Sequence, residues 1–246
     1  NLCTEKNSIF KDKSGMPYRR LPNTDAARIK ALKTAIEKAE NTDFKELQIA
    51  TTTLSESKTI LNQFEILCSR YRRMHDIQVK ANKTFQGKVK NARMYISHFV
   101  QVLYMCVVRS EIKESQLEYY NLQNLNMVVP DLTSNELILE WGKKIIEGEN
   151  QRISKGGVPI YNPSIAKVNV MFSIFKEGFQ TQKLHQKSTL RVLDEVAAYR
   201  EKVDKVIFDI WEEVEKNSLE LASEKRLDRN REYGIVYYYR KGEITE

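Results

Sequence analysis

The chain has 246 residues, 41% hydrophobic and 30% charged, with 40 Lys and Arg against 33 Asp and Glu and a formal net charge of +7. Its five Pro and nine Gly are too few for the turn that an all-β fold needs about every 8–12 residues. No apolar run reaches the ~18 residues of a membrane span, and the opening stretch NLCTEKNSIFKDKSG has no apolar signal core, although a start without Met leaves a trimmed leader open.

Residues 1–22 read as an irregular arm broken by Gly15, Pro17 and Pro22. Asn23, Thr24 and Asp25 then offer side-chain oxygens to the free amides of a first turn. Ile29, Leu32 and Ile36 follow at helical spacing, which predicts a short helix to about residue 40. A long stripe comes next: Ile60, Phe64, Leu67, Tyr71, Met74, Gln78, Ala81, Phe85, Lys88, Ala92, Tyr95, Phe99, Val102 and Cys106 step by four and three without a slip. That is the rhythm of one amphipathic helix face. Gly87 interrupts it at a cost of about 1 kcal/mol against Ala, but the phase holds across it. The favoured reading is therefore a continuous or kinked helix over 54–111, with a hairpin near 83–87 as the alternative.

KESQLEYYNL suits a further helical segment, and NLNMVVPDL a connector. Thr133 or Ser134 caps a short helix carrying Leu137, Ile138, Trp141, Ile145 and Ile146. KGGVPIYNPS is the strongest loop signal. Ser164 then opens a second long helix over 164–217 with the stripe Val168, Phe172, Phe175, Phe179, Gln182, Gln186, Thr189, Leu193, Val196, Arg200, Val203, Ile207, Ile210 and Val214. Each member lies 108 positions after its counterpart in the first stripe. After Gly234, IVYYY favours a short strand or extended arm.

The expected fold is all-α: an elongated helical bundle built on two long antiparallel helices, with an internal duplication at an offset of about 108 and a short extended C-terminal tail. The expected division is an arm over 1–22, one helical-bundle domain over 23–230 and a tail over 231–246.

No metal or catalytic motif emerges, and no cofactor is expected. His75, His98 and His185 lack the Glu three residues earlier that di-iron bundles use. There is no C-x-x-C, H-E-x-x-H, P-loop or G-x-G-x-x-G. Cys68 precedes His75 by two helical turns, but nothing nominates a third group to orient such a dyad. Cys3, Cys68 and Cys106 are odd in number and read as free thiols of a reducing cytoplasm. His98 reads as a core or boundary histidine, Trp141 and Trp211 as core, and Glu212, Glu213 and Glu215 as a solvated face.

Charge supplies the functional lead. Residues 70–93 hold Arg70, Arg72, Arg73, Lys80, Lys83, Lys88, Lys90 and Arg93 against Asp76 alone, while residues 194–220 hold nine acids against Arg200, Lys202, Lys205 and Lys216. The basic stretch is a candidate polyanion-binding surface or a contact for an acidic partner. Gln78, Gln182, Gln186 and Thr189 place polar groups near the middle of both stripes, as a candidate polar mid-seam that fixes register or holds a small ligand. Tyr237, Tyr238 and Tyr239 beside Arg240 and Lys241 suit docking onto the bundle or stacking on bases.

At MPYRRLPNTDAAR (16–28), YISHFVQVL (95–103), GGVPIYNPSIAKV (156–168) and EYGIVYYYRKGE (232–243), the chain resembles a family of uncharacterised bacterial all-helical proteins. The resemblance implies a compact, all-helical, stand-alone bacterial protein and assigns no activity, cofactor or partner. The expected function is a non-enzymatic scaffold or adaptor that binds another protein through a helical face, with homo-oligomerisation through any apolar face left uncovered. The alternatives are a nucleic-acid-associated protein using residues 70–93 and small-ligand binding at the mid-seam.

Overall fold

The computed structural model describes residues 17–239. In chain order they form strand β1 (Tyr18–Arg19), helix α1 (Asp25–Glu40), a 3-10 turn at Phe44–Glu46, helix α2 (Thr51–Val108), a 3-10 segment at Glu114–Tyr120, helix α3 (Asn135–Ser154), helix α4 (Ile165–Asn217), helix α5 (Ser223–Glu232) and strand β2 (Tyr237–Tyr238). The two stripes become unbroken helices of 58 and 53 residues, so phase-keeping across Gly87 does mean one helix. The protein is an all-α bundle on two long helices. Cys3, Arg240 and Lys241 lie outside the described residues.

The chain divides into two compact units. One comprises residues 17–73 and 191–239 among those described, the other Met74–Leu190. Each has its own core, and each long helix contributes one part to each unit.

In the first unit, Thr24 Oγ1 accepts from the Ala27 amide at 3.2 Å and starts α1, which buries Ala31, Leu32, Ala35, Ile36 and Ala39. The early turns of α2 and the late turns of α4 run antiparallel: Thr53 meets Glu213, Phe64 stacks on Tyr199 with ring centroids 6.3 Å apart, and Arg70 pairs with Glu195. Trp211, Phe64 and Tyr233 are its bulkiest fully buried side chains. The tail forms β2, which pairs antiparallel with β1 in the register Tyr18 with Tyr238.

The expectation that Glu212, Glu213 and Glu215 form a solvated face is corrected. Glu212 is exposed, but Glu213 accepts from the Ala50 amide at 2.7 Å and the Thr53 hydroxyl at 2.6 Å, capping the start of α2. Glu215 accepts from the Tyr237 hydroxyl at 2.7 Å and lies 3.6 Å from Arg19, which fastens the terminal ribbon to α4. Helix α5 was not anticipated. Its sequence SEKRLDRNRE has almost no apolar stripe, and it is held instead by polar contacts such as Ser218 Oγ to Asn230 Oδ1 at 2.9 Å.

The second unit follows the same plan of a short capped helix leading into a long one. Ser134 Oγ accepts from the Leu137 amide at 3.1 Å, and α3 begins at Asn135, 110 positions after the start of α1. The two long helices again run antiparallel, and the rings of Phe85, Phe175 and Phe179 cluster together, Phe85 at 5.8 and 6.2 Å from the other two. The buried face of α2 widens here to Val89, Ala92, Ile96, Phe99, Val100, Leu103 and Tyr104, because α3 and the 3-10 segment pack on it as well. His98 is exposed, not a core or boundary residue: it lies on the face of α2 that nothing in this core covers. Trp141 is half-buried, with Lys144 Nζ 4.4 Å from its ring centre.

Candidate functional site

The candidate surface is built on the second unit's share of α2 and α4. Residues 74–108 and 165–190 contain nine Lys and Arg against Asp76 and Glu177. That surplus equals the formal net charge of the whole chain, so the remainder is neutral. Lys80, Lys83 and Lys90 on α2 and Lys176, Lys183 and Lys187 on α4 are exposed. Lys88 is half-buried against the seam, where a side chain at Gly178 would meet its Cδ at 3.0 Å.

Among the described residues, the ion pairs lie elsewhere. Those of the first unit include Arg28–Asp204, Arg200–Asp25, Lys33–Glu65, Lys38–Glu232, Lys58–Glu40 and Arg70–Glu195. Those of the second unit all lie within α3. None involves Lys80, Lys83, Lys88, Lys90, Arg93, Lys167, Lys176, Lys183 or Lys187. Arg93 donates to the Thr133 carbonyl at 3.0 Å, and Lys183 lies over the Phe179 ring at 4.3 Å. Like charges on neighbouring helical turns repel by a few tenths of a kcal/mol per pair, so the clustering does not stabilise the fold.

The sequence-predicted basic stretch is thereby divided. Arg70 is spent on Glu195 and Arg93 on a carbonyl. Arg72 and Arg73 are exposed in the first unit, and Lys80, Lys83 and Lys90 carry the free charge in the second. Exposed aliphatic side chains stand among these cations: Ile77 and Val79 on α2, Leu184 and Leu190 on α4. Phe85, Phe172, Phe175 and Phe179 are buried in the seam, and Tyr95 is half-buried with Lys167 Nζ 5.9 Å from its ring centre.

The polar mid-seam is partly as expected. Gln182 is 6% exposed and its Oε1 bonds to no protein group. Thr189 is buried and donates to the His185 carbonyl at 3.0 Å, and Gln78 is half-buried. Gln186 is exposed, which corrects its place in the seam: His185, half-buried, takes the more inward position. The stack of Phe85, Phe175 and Phe179 fills the adjoining turns.

Two polar groups escaped the sequence reading, one buried and one half-buried. In the second unit, Glu149 and Arg152 are 0% and 2% exposed and lie one turn apart on α3. Arg152 donates to Glu149 Oε1 at 2.9 Å and to the Val158 carbonyl at 2.8 Å. The Ile160 amide donates to Glu149 at 3.1 Å, and the Tyr120 hydroxyl donates to Glu149 and accepts from Arg152. Burial, then the bond to Glu149, pushes the Tyr120 hydroxyl far above its ordinary range. The group fastens the loop before α4 to α3. In sequence, E-x-x-R is indistinguishable from a surface ion pair.

In the first unit, Arg200 and Arg28 each grip a carboxylate with two bonds, at 2.7 and 2.8 Å to Asp25 and 2.7 and 2.9 Å to Asp204. The Arg200 hydrogen bonds, partly opposed by burial, hold the Asp25 carboxyl below its ordinary value of 3.8. A lowered folded-state value means that the stabilisation is present above that ordinary value and is lost as pH falls through the lowered one. Asp25→Asn is expected to destabilise the protein at neutral pH and to flatten the acid limb of stability, as read by urea unfolding at stepped pH. An unchanged acid limb would count against the pair.

Cys68 and Cys106 are free thiols whose pKa values burial raises above the ordinary 9.0, which favours the protonated form over the nucleophile. Among the described residues, no cluster of three or more His, Cys, Asp or Glu is placed to hold a metal ion, and no helix is long and apolar enough to cross a membrane. No family model, curated protein or solved structure matches this chain.

Proposed function

We propose that the protein is a non-enzymatic helical adaptor whose cation-rich surface on α2 and α4 docks an acidic protein segment. The observation that carries this reading is that, among the described residues, none of the nine cations of residues 74–93 and 165–190 is in an ion pair, whereas others such as Arg28, Arg70 and Arg200 are. Unpaired cations spread along a helix attract a polyanion from a distance and release its counterions on contact. The exposed Ile77, Val79, Leu184 and Leu190 among them suit apolar anchors on a protein better than a sugar-phosphate backbone. Nucleic-acid recognition that adds stacking needs exposed rings, and the rings here are buried or half-buried. A second copy laid on the same surface would set cations against cations.

The test is a titration at stepped salt with three probes: a synthetic helix with Leu at heptad core positions and Glu elsewhere, an oligoglutamate of equal charge, and duplex DNA. The Glu/Leu helix is expected to bind tightest, with affinity falling as salt rises. Lys80→Glu with Lys83→Glu is expected to weaken it at least about tenfold, or ~1.4 kcal/mol, without shifting thermal unfolding. Tightest binding to DNA would favour the nucleic-acid reading, and no binding at low salt to any probe would overturn both.

A further inference from the structure

Helix α5 of the first unit holds a buried charge that no described residue neutralises. Arg226 is 9% exposed. Its Nε is shut from solvent without a hydrogen-bond partner, and among the described residues its guanidinium enters no ion pair or ring contact. Arginine stays protonated in proteins, and a buried charge without a counter-charge is costly. Arg28 and Arg152 are comparably buried, and each grips a carboxylate. Arg226 is the fourth residue of α5, and a helical side chain leans back over the turn on its N-terminal side. That end of α5 is open. Ala222 stands at the cap position, and no side chain accepts from the first turn. The Arg226 amide bonds to the Ala222 carbonyl at 2.9 Å, so the amides of Ser223, Glu224 and Lys225 before it have no backbone acceptor. Residues 222–225 are all exposed. One turn further on, Arg229 Nε also lacks a partner, while Arg229 Nη2 donates to the Glu46 carbonyl at 3.4 Å. Glu224 is the acid of this first turn, and Lys225 beside it offsets its charge.

We infer that the start of α5 binds a small phosphate, held between the free amides of residues 223–225 and the Arg226 guanidinium. Free amides and the helix dipole together attract an anion. A guanidinium is a planar fork that takes two phosphate oxygens at once. A tetrahedral oxyanion has oxygens enough to accept from both sources, and chloride does not. A guanidinium nine-tenths buried is recessed from a membrane surface or the flank of a polymer, so the ligand is a free phosphate or a soluble phosphate monoester. The site lies in the first unit and uses none of the cations of residues 74–93 and 165–190, so it stands or falls apart from the adaptor reading.

Isothermal titration calorimetry with inorganic phosphate and with glycerol phosphate, in chloride buffer at fixed ionic strength, tests it. Both are expected to bind stoichiometrically. Arg226→Met is expected to weaken binding at least about tenfold. Ser223→Pro suits the first position of a helix but removes one amide donor, and is expected to weaken binding while α5 stays formed. Lys80→Glu with Lys83→Glu is expected to leave phosphate binding unchanged, which separates this site from any hold of the cation-rich surface. In chloride alone, Arg226→Met is expected to melt no lower than the parent, because the apolar side chain needs no counter-charge. Failure of phosphate to bind, binding indifferent to Arg226→Met and Ser223→Pro, or binding lost with Lys80→Glu and Lys83→Glu overturns the inference. A marked fall in the melting temperature of Arg226→Met in chloride also overturns it, since it reveals a structural partner for the guanidinium.

Discussion

Arg152→Met is expected to lower the unfolding free energy by about 3–5 kcal/mol, the usual cost of removing one partner from a buried ion pair. The substitution leaves Glu149, fully buried, with the Tyr120 hydroxyl and the Ile160 amide as its remaining donors. It also frees the Val158 carbonyl that Arg152 holds at 2.8 Å. Replacing Glu149 together with Arg152 by Met and Leu is expected to recover much of the loss, because a charge-free pair of similar bulk needs no desolvation. Urea unfolding of the single and double variants measures both numbers. If the single variant costs less than about 1 kcal/mol, the typical net worth of a neutral hydrogen bond, the pair is not buried as described.

Gly148→Ala is expected to cost about 3 kcal/mol, at the upper end for overpacking a core. A Cβ at this position would lie 2.6 Å from the Tyr119 carbonyl oxygen, 2.9 Å from its carbon and 2.7 Å from the Tyr120 ring. Two of those neighbours are backbone of the 3-10 segment, so relief requires moving a whole element. Gly87→Ala is the control: nothing lies within 4 Å of its Cβ position, and the better helix former is expected to stabilise α2 by up to about 1 kcal/mol. Opposite shifts in melting temperature for the two substitutions are the expected result, and a neutral Gly148→Ala would refute the close approach of α3 to the 3-10 segment.

The long helices and the caps at Thr24 and Ser134 were legible in the sequence because each depends on neighbours a few residues away. Apolar residues at steps of three and four reveal a buried face whatever it packs against, and a hydroxyl before a first turn meets amides only three positions on. The misread residues fail for the opposite reason. Glu213 reads as one acid among three on α4, yet it caps α2 from 163 positions away. Glu149 and Arg152 have the spacing of a surface pair, and the 3-10 segment and the loop before α4 bury them. His98 stands on an apolar-looking run, but none of the described elements covers its side of α2.

The basic stretch shows the same division. Counting charges located the cations of residues 70–93, but only the fold reveals that Arg70 is neutralised by Glu195 while, among the described residues, Lys80, Lys83 and Lys90 form no ion pair. Periodicity and composition thus determined the helices, their faces and the position of the excess charge, since these follow from covalent neighbours and summed residue types. Which charges are paired, which acids are buried and which apolar residues lack a cover depend on elements brought together from distant parts of the chain, so the tertiary structure alone decided them.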